Sequence, residues 1–232
     1  MRIKLFISIV LVVMSLMQIY TFASLSVDLS IDTTYQPEGT SFLSKEKSVT
    51  YSSNYNSGTG NWKASGLVDG KIGMGNPLGW TTDPNDPEAT IDKEVWIQID
   101  LAEVFSITRM VLFPRQDQEP VVGYPVDFTL QISVDGENWT EVATKTDQRV
   151  TDHEAKLFDF EAKNARYVKM HCTKRAEISG KFYVQLAEMA VYGSAKVETS
   201  PETFDNSASI LPLILMLLLV ASFARIANRK RV

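Results

Sequence analysis

The chain has 232 residues, a formal net charge of −5 and one cysteine. Mild acidity without a basic stripe excludes the phosphate-neutralising surface of a nucleic-acid binder. A lone Cys172 excludes an intrachain disulfide, so stability has to come from the core.

The N-terminus opens on the basic Met1-Arg2-Ile3-Lys4, followed by an apolar stretch to Ile19 and the small-residue pattern Thr21-Phe22-Ala23. This reads as a signal peptide over residues 1–23, with an uncleaved anchor as the competing reading. Residues 24–47 are polar and read as a linker with room for one irregular strand. Roughly 170 residues then remain between the two ends, enough for one domain with a substantial core.

Strand-like segments follow in series. Ser48–Ser53 is short. In Glu94–Leu101, Val95, Ile97, Ile99 and Leu101 alternate with Trp96, Gln98 and Asp100. That period of two puts one apolar face on a half-buried strand. Ile107–Phe113 is apolar on both faces and is expected between two layers. Val126, Phe128, Leu130, Ile132 and Val134 alternate with polar residues. Asp135-Gly136 then offers a two-residue hairpin turn of type I′ character. Trp139 and Val142 begin the return strand. Ala155–Phe160, Ala165–Thr173 and Tyr183–Tyr192 complete the set. Cys172 shares its alternation with Val168 and Met170, which reads as a buried inert thiol. No sustained 3.6-residue period occurs between the termini. The fold class is all-β, a single antiparallel β-sandwich or jelly roll.

Residues 194–209 form a second linker, 210–227 an apolar segment and 228–232 a basic tail. Ile210–Ala224 is an apolar run of 15 residues closed by Arg225, Arg229, Lys230 and Arg231. Basic residues after the run stay cytoplasmic, so the domain is expected outside the cell. The order of Ser200-Pro201-Glu202-Thr203, apolar run and basic tail resembles a Gram-positive sortase sorting signal. Phe204 stands where that signal has glycine. A sorting signal, with sortase as a partner, and a plain transmembrane anchor both remain open. Either one places the domain at the cell surface.

The middle of the chain carries SVTYSSNYN, LVDG, Trp80, VWIQIDL, MVLFPRQD, VDFTLQISVDGENWTEV, ARYVKM and QLAEMAVYG in that order. This resembles the discoidin, or coagulation factor V/VIII type C, domain over residues 48–193. The same fold occurs in bacterial family 32 carbohydrate-binding modules. The resemblance implies a jelly roll of the galactose-binding type, binding without catalysis, and ligand recognition by loops at one end of the barrel. It also implies a structural Ca²⁺ held by Asp69 and Glu188, with carbonyls of Gly66, Lys71 and Ala187 and an oxygen near Met74. Hard Ca²⁺ takes six to eight such oxygens. The competing reading has Asp69 capping a turn and Glu188 making an ordinary hydrogen bond.

For the ligand, the resemblance points to Arg115, whose fork of directed N–H donors suits sugar hydroxyls. Its removal is expected to abolish sugar binding without changing stability. The asparagine that usually accompanies it is absent, and Val121, Val122 and Gly123 stand there. Tyr124, Phe182 and Trp80 are candidate aromatic platforms. Tyr51, Tyr55 and Trp62 are further contacts from the first loop region, with core packing the commoner fate of any one aromatic. The acidic stretch Asp83, Asp86, Glu88, Asp92 and Glu94 invites a glycosidase reading, but such pairs need a cleft and one raised pKa. His153 and His171 lack metal or triad spacing. The ligand reading is therefore carbohydrate, on a glycan or polysaccharide. A protein–protein adhesion module is the alternative, and a part in a glycoside-processing enzyme system comes third. Contact of loop tips with phospholipid is disfavoured by their acidity.

Overall fold

Burial alternates residue by residue through Val95–Leu101, as the period of two requires, with the odd positions inside. The structure, a computed structural model, describes residue 31 and residues 33–55, 61–72 and 77–195. Within it the strand begun at Val95 continues to Phe113 as β4. The remaining strands are β1 (Ser41–Phe42), β2 (Ser48–Tyr51), β3 (Trp80–Thr81), β5 (Asp127–Ser133), β6 (Thr140–Lys145), β7 (Lys156–Lys174), β8 (Ala176–Ile178), β9 (Lys181–Tyr183), β10 (Gln185–Leu186) and β11 (Glu188–Ala195).

β4 and β7 are each 19 residues long and pair antiparallel from Val95↔Cys172 to Leu112↔Lys156. The register shifts between Asp100 and Phe105, where β4 turns a corner. Ala102 takes a positive φ of 73° there, and its N–H donates to Asp100 Oδ1 at 2.8 Å. The same carboxylate accepts two bonds from Arg166, both at 2.8 Å, so the corner is pinned from both strands. A bulge of this kind bends a strand and passes it from one layer to the other. Before the corner, β4 pairs with β2 and β7 pairs with β5, which carries β6; after it, β4 pairs with β11, which carries β1.

The core lies between these layers. Ile97, Ile99 and Leu101 of β4, Phe128, Leu130 and Ile132 of β5, and Val168, Met170 and Cys172 of β7 meet Met110, Leu112, Met189 and Val191. Each fully buried Leu, Ile or Phe contributes about 1.5–3 kcal/mol relative to exposure. Burial also pushes the Cys172 thiol pKa up to about 12, which makes it inert as a nucleophile.

Met110–Phe113 are buried on both faces as expected, and Ile107 is buried, while Thr108 and Arg109 between them are half-buried. What covers the second face of this stretch is the N-terminal segment. Val111, Phe113, Ala190 and Tyr192 form a second cluster with Ile31, and Tyr35 and Phe42 pack against it. The Tyr35 ring meets Phe113 edge-on at 5.0 Å, and Phe42 lies 5.4 Å from Tyr192. Residues read as a linker up to Lys47 are thus partly structural: Ser41 and Phe42 pair with Gly193 and Tyr192.

The hairpin turn also differs from expectation. β5 ends at Ser133 and β6 begins at Thr140, so the connection is six residues rather than two. Only Gly136 takes a positive φ. Ser133 Oγ accepts the N–H of Gly136, and Asp135 Oδ1 accepts those of Glu137 and Asn138. These side chains satisfy the backbone of a wider loop, which removes the need for the tight turn.

Among the described residues, no helix is long and apolar enough to cross a membrane. The leader over 1–23, the motif at 200–207, the apolar segment 210–227 and the basic tail 228–232 lie outside the described residues.

Candidate functional site

At one end of the sandwich, β4 leaves the core at Phe113 and the chain enters residues 114–126. Arg115 is the second residue of that loop. Its Nε and Nη2 donate to the two carboxylate oxygens of Asp117 at 2.9 and 2.8 Å. Its Nη1 donates to Gln185 Oε1 at 2.7 Å. The guanidinium lies 5.2 Å from the ring centroid of Trp62. Arg115 is therefore fixed in place by a fork, an amide and an aromatic face, with its side chain only 12% exposed. The expectation that its loss leaves stability unchanged does not fit this geometry.

The loop itself is braced by its neighbour. His153 Nδ1 lies 3.0 Å from the Arg115 carbonyl and its Nε2 lies 2.6 Å from Glu119 Oε1. Gln116 Nε2 donates to the carbonyls of Pro114 and His153. Gly123, at φ 81°, completes the arrangement. A Cβ on Gly123 would sit 2.4 Å from Gln185 Oε1, so glycine is what lets the Gln185 side chain pass. The Gln185 N–H also donates to the Gly123 carbonyl at 2.7 Å. An amide thus stands beside Arg115 after all, supplied by β10 rather than by positions 121–123.

The structure separates the other candidate ligand residues. Trp80 is fully buried in the main core, and its Nε1–H donates to the Ser53 carbonyl at 3.2 Å. Tyr124 is 3% exposed and packs edge-on against Phe128 at 6.0 Å. Burial pushes its phenol pKa up, and its hydroxyl has no partner. Neither ring presents a face to a ligand, because each fills the space between the sheets. Phe182 remains half-exposed on the β8–β9 hairpin, three residues before Gln185. Trp62 is buried beneath Arg115. Tyr51 is 42% exposed.

Asp117 and Gln185 were not singled out in sequence. Asp117 had a signal, a carboxylate two residues after the arginine. Gln185 had none, because its partner lies 70 positions away.

A second cluster lies at the start of β11. Glu188 is fully buried. Its Oε2 accepts the Gly70 N–H at 3.2 Å, while Oε1 has no hydrogen-bond partner. Burial first, then the nearby Asp69 carboxylate, raise its pKa well above the ordinary value. Asp69 Oδ1 accepts the Lys71 N–H at 3.0 Å, so it does cap its own turn. Gly66 and Ala187 are buried beside these residues, and Met74 lies outside the described residues. Gly79 presses against the same corner: a Cβ there would lie 2.1 Å from the Leu186 carbonyl oxygen. Among the described residues, no three His, Cys, Asp or Glu side chains gather in a metal-binding group. A cation here would draw on two carboxylates and on backbone carbonyls. Two close carboxylates with an orphaned buried oxygen suit a hard cation.

The acidic loop 83–94 is held as solvated surface. Asp86 accepts from Lys93 at 2.9 Å, which lowers its pKa, and Asp83 and Asp86 cap their own turns. A glycosidase acid needs the opposite shift.

A model of the F5/8 type C domain matches residues 48–189. The fold is also that of solved carbohydrate-binding modules. The family 32 module of NanJ from Clostridium perfringens, solved with galactose, is 18% identical, with a TM-score of 0.51 over 66% of this chain and 98% of that one. CpGH89CBM32-5 of Clostridium perfringens, solved with GalNAc-β-1,3-galactose, is 21% identical, with a TM-score of 0.53 over 65% and 99%. A fragment of a protein described as a putative chitobiase from Bacteroides thetaiotaomicron is 18% identical, with a TM-score of 0.55 over 71% and 97%.

Proposed function

The chain belongs to the F5/8 type C domain family, and on that premise we propose that it is a non-catalytic module that binds carbohydrate at the loop end of its sandwich, around Arg115. The observation that carries this reading is the state of Arg115. A guanidinium has five N–H donors. Three are engaged by Asp117 and Gln185, which leaves two to donate to sugar hydroxyls. Because the side chain is already fixed on Trp62, little rotamer entropy is lost when a ligand docks. Phe182, half-exposed on the neighbouring hairpin, supplies an apolar face for sugar C–H groups. The galactose and GalNAc-β-1,3-galactose bound by the two Clostridium modules support the same ligand class.

In the same reading, Asp69 and Glu188 hold a structural calcium ion with the carbonyls of Gly66, Lys71 and Ala187. When bound, the ion cancels the repulsion between the two carboxylates. The residues themselves tie the 66–71 segment to the first residue of β11. The orphaned Glu188 Oε1 supports this assignment. The leader and the C-terminal segment 210–227 belong to the reading as devices for export and surface display, by membrane anchoring or by sortase.

The deciding experiment is a glycan array probed with the purified protein, with and without calcium. Saturable binding to a defined set of sugars is expected. Absence of binding to every sugar in both conditions would remove the carbohydrate reading and favour protein–protein adhesion.

A further inference from the structure

We infer that Asp117 and Gln185 determine specificity in the Arg115 site, and that they restrict it to neutral sugars by cancelling the charge of the guanidinium. The inference rests on the carbohydrate reading and names the ligand class within it.

An arginine at a ligand rim ordinarily favours carboxylate, sulfate or phosphate, because its planar fork matches two oxygens at once. Here the side-on edge of that fork is already taken. Nε and Nη2 form one of the two edges that can grip an anion bidentately, and both donate to Asp117 at 2.9 and 2.8 Å. Both side chains are largely covered, at 12% and 21% exposure, so solvent screens the pair only in part. An incoming anion would meet the Asp117 carboxylate at close range, with the Nε–Nη2 edge closed and one N–H left on each of Nη1 and Nη2.

Next to His153, which braces the Arg115 loop, Lys156 pairs with Asp152. Glu119, on the same loop as Arg115, lies against His153.

What remains at the centre suits hydroxyl groups. Arg115 keeps two N–H donors. Asp117 keeps acceptor capacity on each oxygen. Gln185 turns its Oε1 to Arg115, and among the described residues no hydrogen bond engages its Nε2. Donors and acceptors side by side match adjacent sugar hydroxyls, each of which both donates and accepts. Gly123 is the enabling residue, since any side chain there displaces the Gln185 amide.

The test is a panel of neutral oligosaccharides, each printed beside its sialylated or glucuronate-bearing counterpart. Wild-type protein is expected to favour the neutral member of a pair by about tenfold or more, and Asp117→Asn to narrow that ratio to about threefold or less. Wild-type binding of acidic members as tightly as neutral ones would overturn the inference and leave the carbohydrate reading standing. No binding to any sugar would remove both. A second measurement needs no sugar. Titration with inorganic sulfate is expected to raise the melting temperature of Asp117→Asn saturably and to leave wild type unmoved. Equal saturable stabilisation of wild type would show that Arg115 retains an open anion site. Both wild-type measurements stand even if the variant fails to fold.

Discussion

Replacing Arg115 by alanine should destabilise the fold, contrary to what its place in a loop at the end of the sandwich suggests. Three charge-assisted hydrogen bonds and a ring contact are lost together. Bonds to charged groups contribute about 1.5–3 kcal/mol each at most, and a cation over an indole about 0.5–1 kcal/mol. Partial exposure of the pair reduces the first figure, and Asp117 regains some water once Arg115 is gone. Gln185 is 6% exposed, so its Oε1 loses a partner without full access to solvent. The net cost is about 2–4 kcal/mol. For a domain of this size, that lowers the melting temperature by roughly 5–15 °C. The assay is thermal unfolding of wild type, Arg115→Ala, Asp117→Ala and the double variant. The cycle should return a coupling energy of about 1–2 kcal/mol between the two side chains. If Arg115→Ala melts within a degree of wild type and the two substitutions add independently, the clamp contributes nothing and the argument from its geometry fails.

Other outcomes follow from the same structure. Chelation should lower the melting temperature by roughly 5–10 °C relative to calcium at about a hundred times its Kd; thorough EDTA treatment without any shift would leave Asp69 and Glu188 without an ion. In chelated protein, the raised folded-state pKa of Glu188 means that its favourable contribution is present below the ordinary value of 4.5 and is lost as pH climbs through the raised value. Urea midpoints measured against pH should show that decline in wild type and lose it in Glu188→Gln, and a flat wild-type profile would contradict the burial argument. Trp80→Phe should cost about 1–3 kcal/mol of stability and leave sugar affinity within about twofold; lost affinity at unchanged stability, read by calorimetry, would return Trp80 to the ligand site. A chain begun at Ser48 discards Ile31, Tyr35, Phe42 and Leu43, and with them several kcal/mol of apolar burial. It should be poorly soluble or melt at least about 5 °C lower, and a shift of less than about 2 °C would show the second cluster to be dispensable.

The strands were legible because alternation at Val95–Leu101 and Phe128–Ile132 is a local signal that burial then reproduces. The two-sided apolar character of Ile107–Phe113 was equally plain. What covers its second face was not, because Ile31, Tyr35 and Phe42 are scattered in a polar segment with no period of their own. The hairpin turn was misread for a related reason: Asp135-Gly136 names a tight turn, but the Ser133 and Asp135 side chains offer the backbone other partners. At the loop end, the place of Arg115 just past β4 was legible from the strand that precedes it. Trp80 and Tyr124 were not separable from surface aromatics, since an isolated ring in a short segment carries no indication of which way it points. Gln185 illustrates the larger limit. Its partnership with Arg115 spans 70 positions and depends on a missing side chain at Gly123, which only the folded chain brings together.

The corner at Asp100 has a consequence for how the molecule comes apart. Because β4 and β7 run unbroken through both layers, the layers share covalent backbone as well as a core. Peeling one layer from the other requires straightening two paired strands at the bulge, which also breaks the Arg166–Asp100 fork. Partial opening therefore has no cheap seam to follow. The slowest-exchanging amides in β4 and β7 should lie on both sides of the corner and share one opening free energy, equal to that of global unfolding. Cleavage needs an opened segment, and here opening any part of the central strand pair amounts to opening the whole.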